Sequence, residues 1–346
     1  MNAERNITEN YSEQYDAVGG IYNSLSPYST GNYSISTIMI KTAFKTSDEN
    51  QSEIFERFRK NRYAVAFRLA DQYHGVANYS LDLDGFPDGF GKNSQRVLVP
   101  AFLSAYTGTK TSSVQTGLFS SFPLPNWTLK YTGLMKLSWF KDNFKRFSIQ
   151  HGYRSNYSVN SFRSNLNPEE RDQNGNIYAD YITSNVNLTE QFNPLARFDF
   201  ELKNSLNIMA EIKRDRSLNM SFDNNLLTEA QGNDYTVRVG YRIKGVQINS
   251  RLADNAQGMI KSDINIKGDF TLRTSKTIVR YLDYDNNQLG GGNNMWSFKL
   301  TADYSFSKNF TAIFFYDHQF SKAVISTAFP ITNIRSGFTL RYNFGN

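Results

Sequence analysis

The sequence predicts an all-β chain: an antiparallel transmembrane β-barrel with a partly helical insertion. Three observations carry that prediction. Apolar and polar residues alternate in segment after segment from Trp127 to Phe344. Aromatic residues make up 15% of the 346 residues, with 21 Tyr and 27 Phe, and they gather on the apolar registers. The alternation breaks between 52 and 126, where a helical period takes over. The expected organisation is therefore barrel-wall strands over 1–51, an insertion serving as cap, plug or loop region over 52–126, and antiparallel wall strands over 127–346.

Composition narrows the class. No run approaches the 18 apolar residues that a spanning helix needs, and the mean hydropathy is −0.53. A barrel escapes that limit because only every second residue of a strand faces lipid. Cysteine is absent, which excludes disulfides and thiolate chemistry. The 38 basic and 32 acidic residues are interspersed, whereas nucleic-acid binding calls for a clustered basic face. The segment Met1-Asn2-Ala3-Glu4-Arg5-Asn6 has no apolar export core, so either the chain is cytosolic or Met1 is not the natural start; barrel-like text that begins almost at once favours the second.

In chain order, Asn6 to Tyr15 and Tyr33 to Lys41 are expected as strands, separated by Gly19-Gly20 and Pro27. Ser52 to Tyr73 is expected as a helix capped by Ser52. Its stripe is Ile54, Phe58, Val65 and Leu69, with Arg57, Arg59 and Arg62 among the polar positions. Asp82, Asp84 and Asp88 lie in a glycine-rich turn. A calcium loop is the alternative, although Phe86 and Pro87 break the EF-hand frame. Val97 to Leu103 carries Pro100 and is expected as a buried segment of the insertion.

From Trp127 the strands resume. Leu137 to Phe144 is expected as a short helix or turn, Phe147 to Val159 as one long strand and Asn165 to Asn176 as an exposed loop. Strands are then expected over Ile182–Leu188, Arg197–Lys203, Leu206–Lys213, Ser217–Phe222, Tyr235–Ile243, Asp263–Arg273, Trp296–Phe306, Phe310–Tyr316 and Ile334–Phe344. Asn204-Ser205, Asp215-Arg216 and Lys308-Asn309 are expected as short turns, and Asp285 to Asn294, with Gly290-Gly291-Gly292, as a long loop.

The wet registers supply the candidate lumen-facing residues: Arg154, Arg197, Asp199, Glu201, Arg238, Arg242, Lys267, Asp269, Lys299, Asp303 and Arg341. The apolar registers supply the candidate lipid-facing residues: Phe298, Leu300, Ala302, Tyr304, Phe338, Leu340, Tyr342 and Phe344. A soluble sandwich would satisfy the same alternation with its charges outermost. Long strands, with Tyr, Trp and Phe near their ends, favour the barrel. His74, His151 and His318 are scattered, and no triad order, zinc spacing or phosphate loop emerges. An enzyme is not expected, nor a cofactor. His151 falls on an apolar register and is expected to pack. Asp199 and Glu201, flanked by Arg197 and Lys203, are expected in an ion-pair lattice.

Phe122-Pro123-Leu124-Pro125-Asn126-Trp127, Phe144-Lys145-Arg146-Phe147-Ser148, His151-Gly152-Tyr153-Arg154-Ser155, Phe192-Asn193-Pro194-Leu195, Asn225-Leu226-Leu227-Thr228-Glu229 and Gly240-Tyr241-Arg242-Ile243-Lys244 occur in that order. Upstream stand Ile35-Ser36-Thr37-Ile38, Gly89-Phe90-Gly91-Lys92-Asn93-Ser94 and Pro100-Ala101-Phe102-Leu103. Together these blocks resemble the C-terminal region of the SprA/Sov family over nearly the whole chain. The resemblance implies an outer-membrane translocon of the type IX secretion system of Bacteroidota, tied in gliding species to export of surface adhesins. It also implies outer-membrane lipid, exported cargo proteins, other secretion-system subunits and the barrel-assembly machinery as partners. Members of the family are far longer than this chain. Removing the insertion leaves about 270 residues, enough for about 13 strands at roughly 20 residues each, so the resemblance implies that this chain is a C-terminal fragment carrying about 12–14 strands of a much larger barrel. The alternatives are an outer-membrane porin or transporter for small solutes and a secreted adhesive β protein.

Overall fold

The computed structural model describes residues 1–167, 170–249, 259–307, 309–325 and 328–344. Pro168 and Glu169 of the expected loop, and Lys308 of the expected turn, lie outside the described residues. The chain folds mostly as antiparallel β-structure. Its strands are β1 (Ala3–Asn10), β2 (Glu13–Asp16), β3 (Ile21–Ser24), β4 (Tyr28–Ser36), β5 (Trp127–Tyr131), β6 (Phe144–Ser164), β7 (Tyr181–Ile182), β8 (Asn185–Leu202), β9 (Leu206–Ser221), β10 (Leu226–Asn249), β11 (Met259–Tyr281), β12 (Asn287–Ser305), β13 (Phe310–Ala323) and β14 (Ile331–Tyr342). The helices are α1 (Glu53–His74), α2 (Gln95–Thr107) and the short α3 (Ser138–Asn143).

Twelve strands form one sheet in the order β1-β4-β6-β8-β9-β10-β11-β12-β13-β14, with β5 and β7 also paired to β6. β2 and β3 make a separate hairpin. The sheet is open: β1 and β14 stand at opposite ends of the order.

α1 starts where the sequence places it. The Ser52 hydroxyl accepts from the Phe55 N–H at 3.3 Å, and Glu53 and Glu56 lie in the first turn, at the positive end of the helix dipole. Ile54, Phe58, Val65 and Leu69 are buried as the stripe predicts. Arg62, expected among the polar positions, is also buried; its guanidinium donates to the Lys92 and Leu282 carbonyls and faces Asp283 at 3.9 Å. α2 carries Pro100 inside it and is buried from Val97 to Tyr106.

The two helices cover part of one sheet face. They close a core with Tyr157 and Val159 of β6, Val186 and Leu188 of β8, Leu218 and Met220 of β9, and Leu227 of β10. Each such side chain contributes on the order of 1.5–3 kcal/mol by leaving water.

Several boundaries differ from expectation. The predicted Asn6–Tyr15 strand is broken after Asn10, because β1 pairs with β4 while β2 turns back on β3. The Tyr33–Lys41 strand ends at Ser36, and the chain beyond it leaves the sheet to enter the insertion. Asp215-Arg216 is no turn: β9 runs straight through it, so Leu206–Lys213 and all of Ser217–Phe222 but its last residue belong to one strand. β8 likewise joins two expected strands through a register shift between Phe192 and Ala196. The long loop expected over Asp285 to Asn294 is mostly β12. Gly291 pairs with Thr277 and Gly292 with Lys276, beside a register irregularity that the glycines accommodate.

Candidate functional site

Register fixes which side chains share a face. Across the sheet, Phe200, Ile208, Val239, Gly268, Leu300, Tyr316 and Ser336 lie in one continuous row. Alternate residues of each strand extend that row into a band. On β10 the band runs from Tyr235 through Val237, Val239 and Tyr241 to Ile243; on β11 from Ile264 to Leu272; on β12 from Trp296 to Tyr304. Each stretch is nine residues long. Little covers this band. Tyr235, Val237, Val239, Tyr241 and Phe270 are 40–44% exposed, and Phe338 and Leu340 on the edge strand are 77% and 66%.

All eight candidate lipid-facing residues except Phe344 lie on band registers of β12 and β14. Phe344 follows the end of β14 and is exposed. Tyr304 differs from the others in being buried. Its hydroxyl donates to the carbonyls of Val246 (3.1 Å) and Ile260 (3.2 Å), where the β10–β11 register shifts after Ile243.

The reverse face is mostly polar, with Met209 of β9 and Ile313 and Phe315 of β13 as apolar members. One row across it reads Asp199, Met209, Arg238, Asp269, Lys299, Asp317, Arg335, so charge alternates in sign from strand to strand after the methionine. Opposite charges on neighbouring strands stabilise the pairing. Arg238 Nε lies 3.2 Å from Asp269, Arg335 lies 2.6 Å from Asp317, and Arg197 lies 3.1 Å from Asp199. Arg146 bridges Asp199 and Glu201 at 3.7 and 3.4 Å, and Lys145 meets Glu201 at 2.9 Å. Arg242 donates to Asn265, which donates to Asp303. All eleven candidate lumen-facing residues lie on this face: Arg154 stands opposite Gln191, Lys267 opposite Gly240, and Arg341 opposite Thr311.

No protein-family model and no curated protein matches this sequence.

The helical insertion sits on the same face as the apolar band, farther along the same strands. Between band and helices lies a buried polar row that the alternation did not reveal. Arg216 and Glu190 are 3.0 Å apart and almost wholly out of water. Arg216 also donates to the Thr42 carbonyl and hydroxyl, and Tyr153 donates to Glu190 at 2.8 Å. Beside them Arg280 and Glu229 pair at 3.2 Å, and Ser47 donates to Glu229 at 2.6 Å. Of these partners Thr42 and Ser47 come from 37–52, the segment that leads from β4 into α1. That long-range supply is why isolated strand text could not anticipate the row. The signal available in sequence was an arginine or glutamate on an apolar register: Glu190, Arg216, Glu229 and Arg280.

Asp82, Asp84 and Asp88 go to different partners. Asp82 accepts from the Asp84 and Phe86 N–H groups, Asp84 pairs with Lys92, and Asp88 meets Arg171 through both carboxylate oxygens. The Arg171 hydrogen bond is the chief reason the Asp88 carboxyl is held below its ordinary range. Among the described residues no group of three or more potential ligands is placed to hold a metal. His151 packs against Trp127 and Phe192, with Nδ1 2.6 Å from the Leu195 carbonyl oxygen.

Proposed function

We propose that this chain is part of the wall of an outer-membrane, protein-conducting pore, of the type IX secretion kind that the sequence blocks resemble. One observation carries the reading. An apolar band nine residues tall on β10, β11 and β12 backs directly onto a row of alternating charge. About 9–11 residues per tilted strand are what a bilayer requires. Trp296 and Tyr235 at one border of the band, and Tyr241 and Tyr342 toward the other, sit as interfacial girdles do.

In this reading the band faces lipid and the charged row lines an aqueous conduit. Mixed charge keeps that surface hydrated and gives a passing folded cargo no continuous patch to adhere to. Lipid, cargo, further secretion subunits and the barrel-assembly machinery are the proposed partners. The open order from β1 to β14 supports an arc of a larger wall over a self-contained small-solute porin, because a wall in lipid leaves no strand edge unpaired. The insertion shares the band's face, so here it flanks the wall on the outside, beyond the bilayer, and does not plug the conduit.

The experiment is fractionation of the full-length gene product in its native envelope. The pore reading expects it to remain in the outer-membrane fraction after alkaline extraction. Release into the soluble fraction would favour the secreted adhesive alternative.

A further inference from the structure

The insertion holds a cavity of about 400 Å³, within the usual range for small-ligand sites. Its floor is Ile35 and Tyr157; Leu103, Val114 and Phe122 form walls, and Lys41 stands at its mouth. We infer that this cavity binds the acyl chain of an anionic membrane lipid, with Lys41 on the lipid phosphate. The inference rests on the proposed membrane reading and adds a specific lipid site to it.

Three observations favour lipid as the occupant. The first is continuity. Ile38 lines the cavity and also packs in the cluster of Tyr153, Phe192 and Trp127 that leads into the band. Along β6 the floor residue Tyr157, the cluster residue Tyr153 and the band residue Ile149 follow one another at four-residue steps, roughly 13 Å each, with the buried Ser155 of the polar row between the first two. On β5, Leu129 and Tyr131 carry the exposed apolar surface on from Trp127. A chain lying in the cavity would therefore leave it at the level where the band begins.

The second is exposed apolar surface around the mouth: Phe122 is 68% exposed and Ile40 38%. The third is charge. Lys41 has no carboxylate within salt-bridge distance among the described residues. Arg214, on the polar row's border with the band, is half-buried against the Phe44 ring at 5.1 Å and likewise pairs with no carboxylate among the described residues. A cation that keeps its stem on apolar surface and its head toward water suits the phosphate level of a bilayer.

The test uses the full-length protein purified from membranes and reconstituted with phosphatidylglycerol or phosphatidylcholine. Bound lipid is counted by native mass spectrometry. Wild type is expected to retain phosphatidylglycerol over phosphatidylcholine. Val114→Trp, which fills the cavity, and Lys41→Glu, at an exposed position that leaves the core intact, should each lower retention at least fivefold. Unchanged retention in Lys41→Glu would overturn the proposal even if Val114→Trp fails to fold. A photo-crosslinker at Phe122 should capture lipid in native membranes; capture of protein alone would overturn it in favour of a peptide occupant. Failure of the membrane reading is recognised separately, because the wild-type protein would then not fractionate with membranes at all.

Discussion

Arg280 and Glu229 meet 3.2 Å apart with both side chains essentially removed from water, diagonal neighbours on β11 and β10. Each also holds Ser47, so the pair ties the approach to α1 onto the sheet. Removing one partner strands the other charge in a dry site. Arg280→Met should therefore cost about 3–5 kcal/mol in urea unfolding, while the double change to Arg280→Met and Glu229→Leu should cost clearly less. Equal losses in the single and double variants would mean that the pair's burial is not what the site depends on.

The entry to α1 is tested by Ser52→Ala. Loss of the cap to the Phe55 N–H should destabilise the insertion by about 1 kcal/mol. Hydrogen exchange read along Glu53–Phe58 should rise while exchange in β12 stays put. Uniform loosening would instead assign Ser52 a role in the whole sheet.

The tie between Asp88 and Arg171 sets a pH dependence. The folded-state Asp88 carboxyl lies below its ordinary value, so the stabilisation is fully present above that ordinary value, near pH 4. It is lost as the pH falls through the lowered folded-state value. The chemical shift of the Asp88 carboxyl should report that lowered titration, and Arg171→Ala should move it back up. An Asp88 titration indifferent to Arg171 would contradict the assignment.

Much of the sheet was legible because alternation is local. The strand over Tyr235–Ile243 is found inside β10, and the one over Trp296–Phe306 is found in β12 except for its last residue, with their faces as read. What stayed hidden depends on distant segments. Arg216 on an apolar register reads as a turn beside Asp215 until Thr42 and Glu190 are seen to receive its guanidinium. Gly290-Gly291-Gly292 reads as a loop because its β11 partners, Thr277 and Lys276, are not visible to a local pattern. The helix over Ser52–Tyr73 was legible from cap and stripe, but the burial of Arg62 was not, since Leu282 and Asp283, just past the end of β11, supply its partners. The two candidate faces were separable in sequence; that the insertion shares a face with the apolar band required the register.

The most direct test of the two-faced wall compares neighbouring residues at the middle of the band, Leu300 on the apolar row and Thr301 on the wet one. Unfolding of the full-length protein in lipid vesicles should lose about 2–4 kcal/mol in Leu300→Lys and little in Thr301→Lys. Equal losses at the two positions would contradict the assignment of one face to hydrocarbon and the other to water.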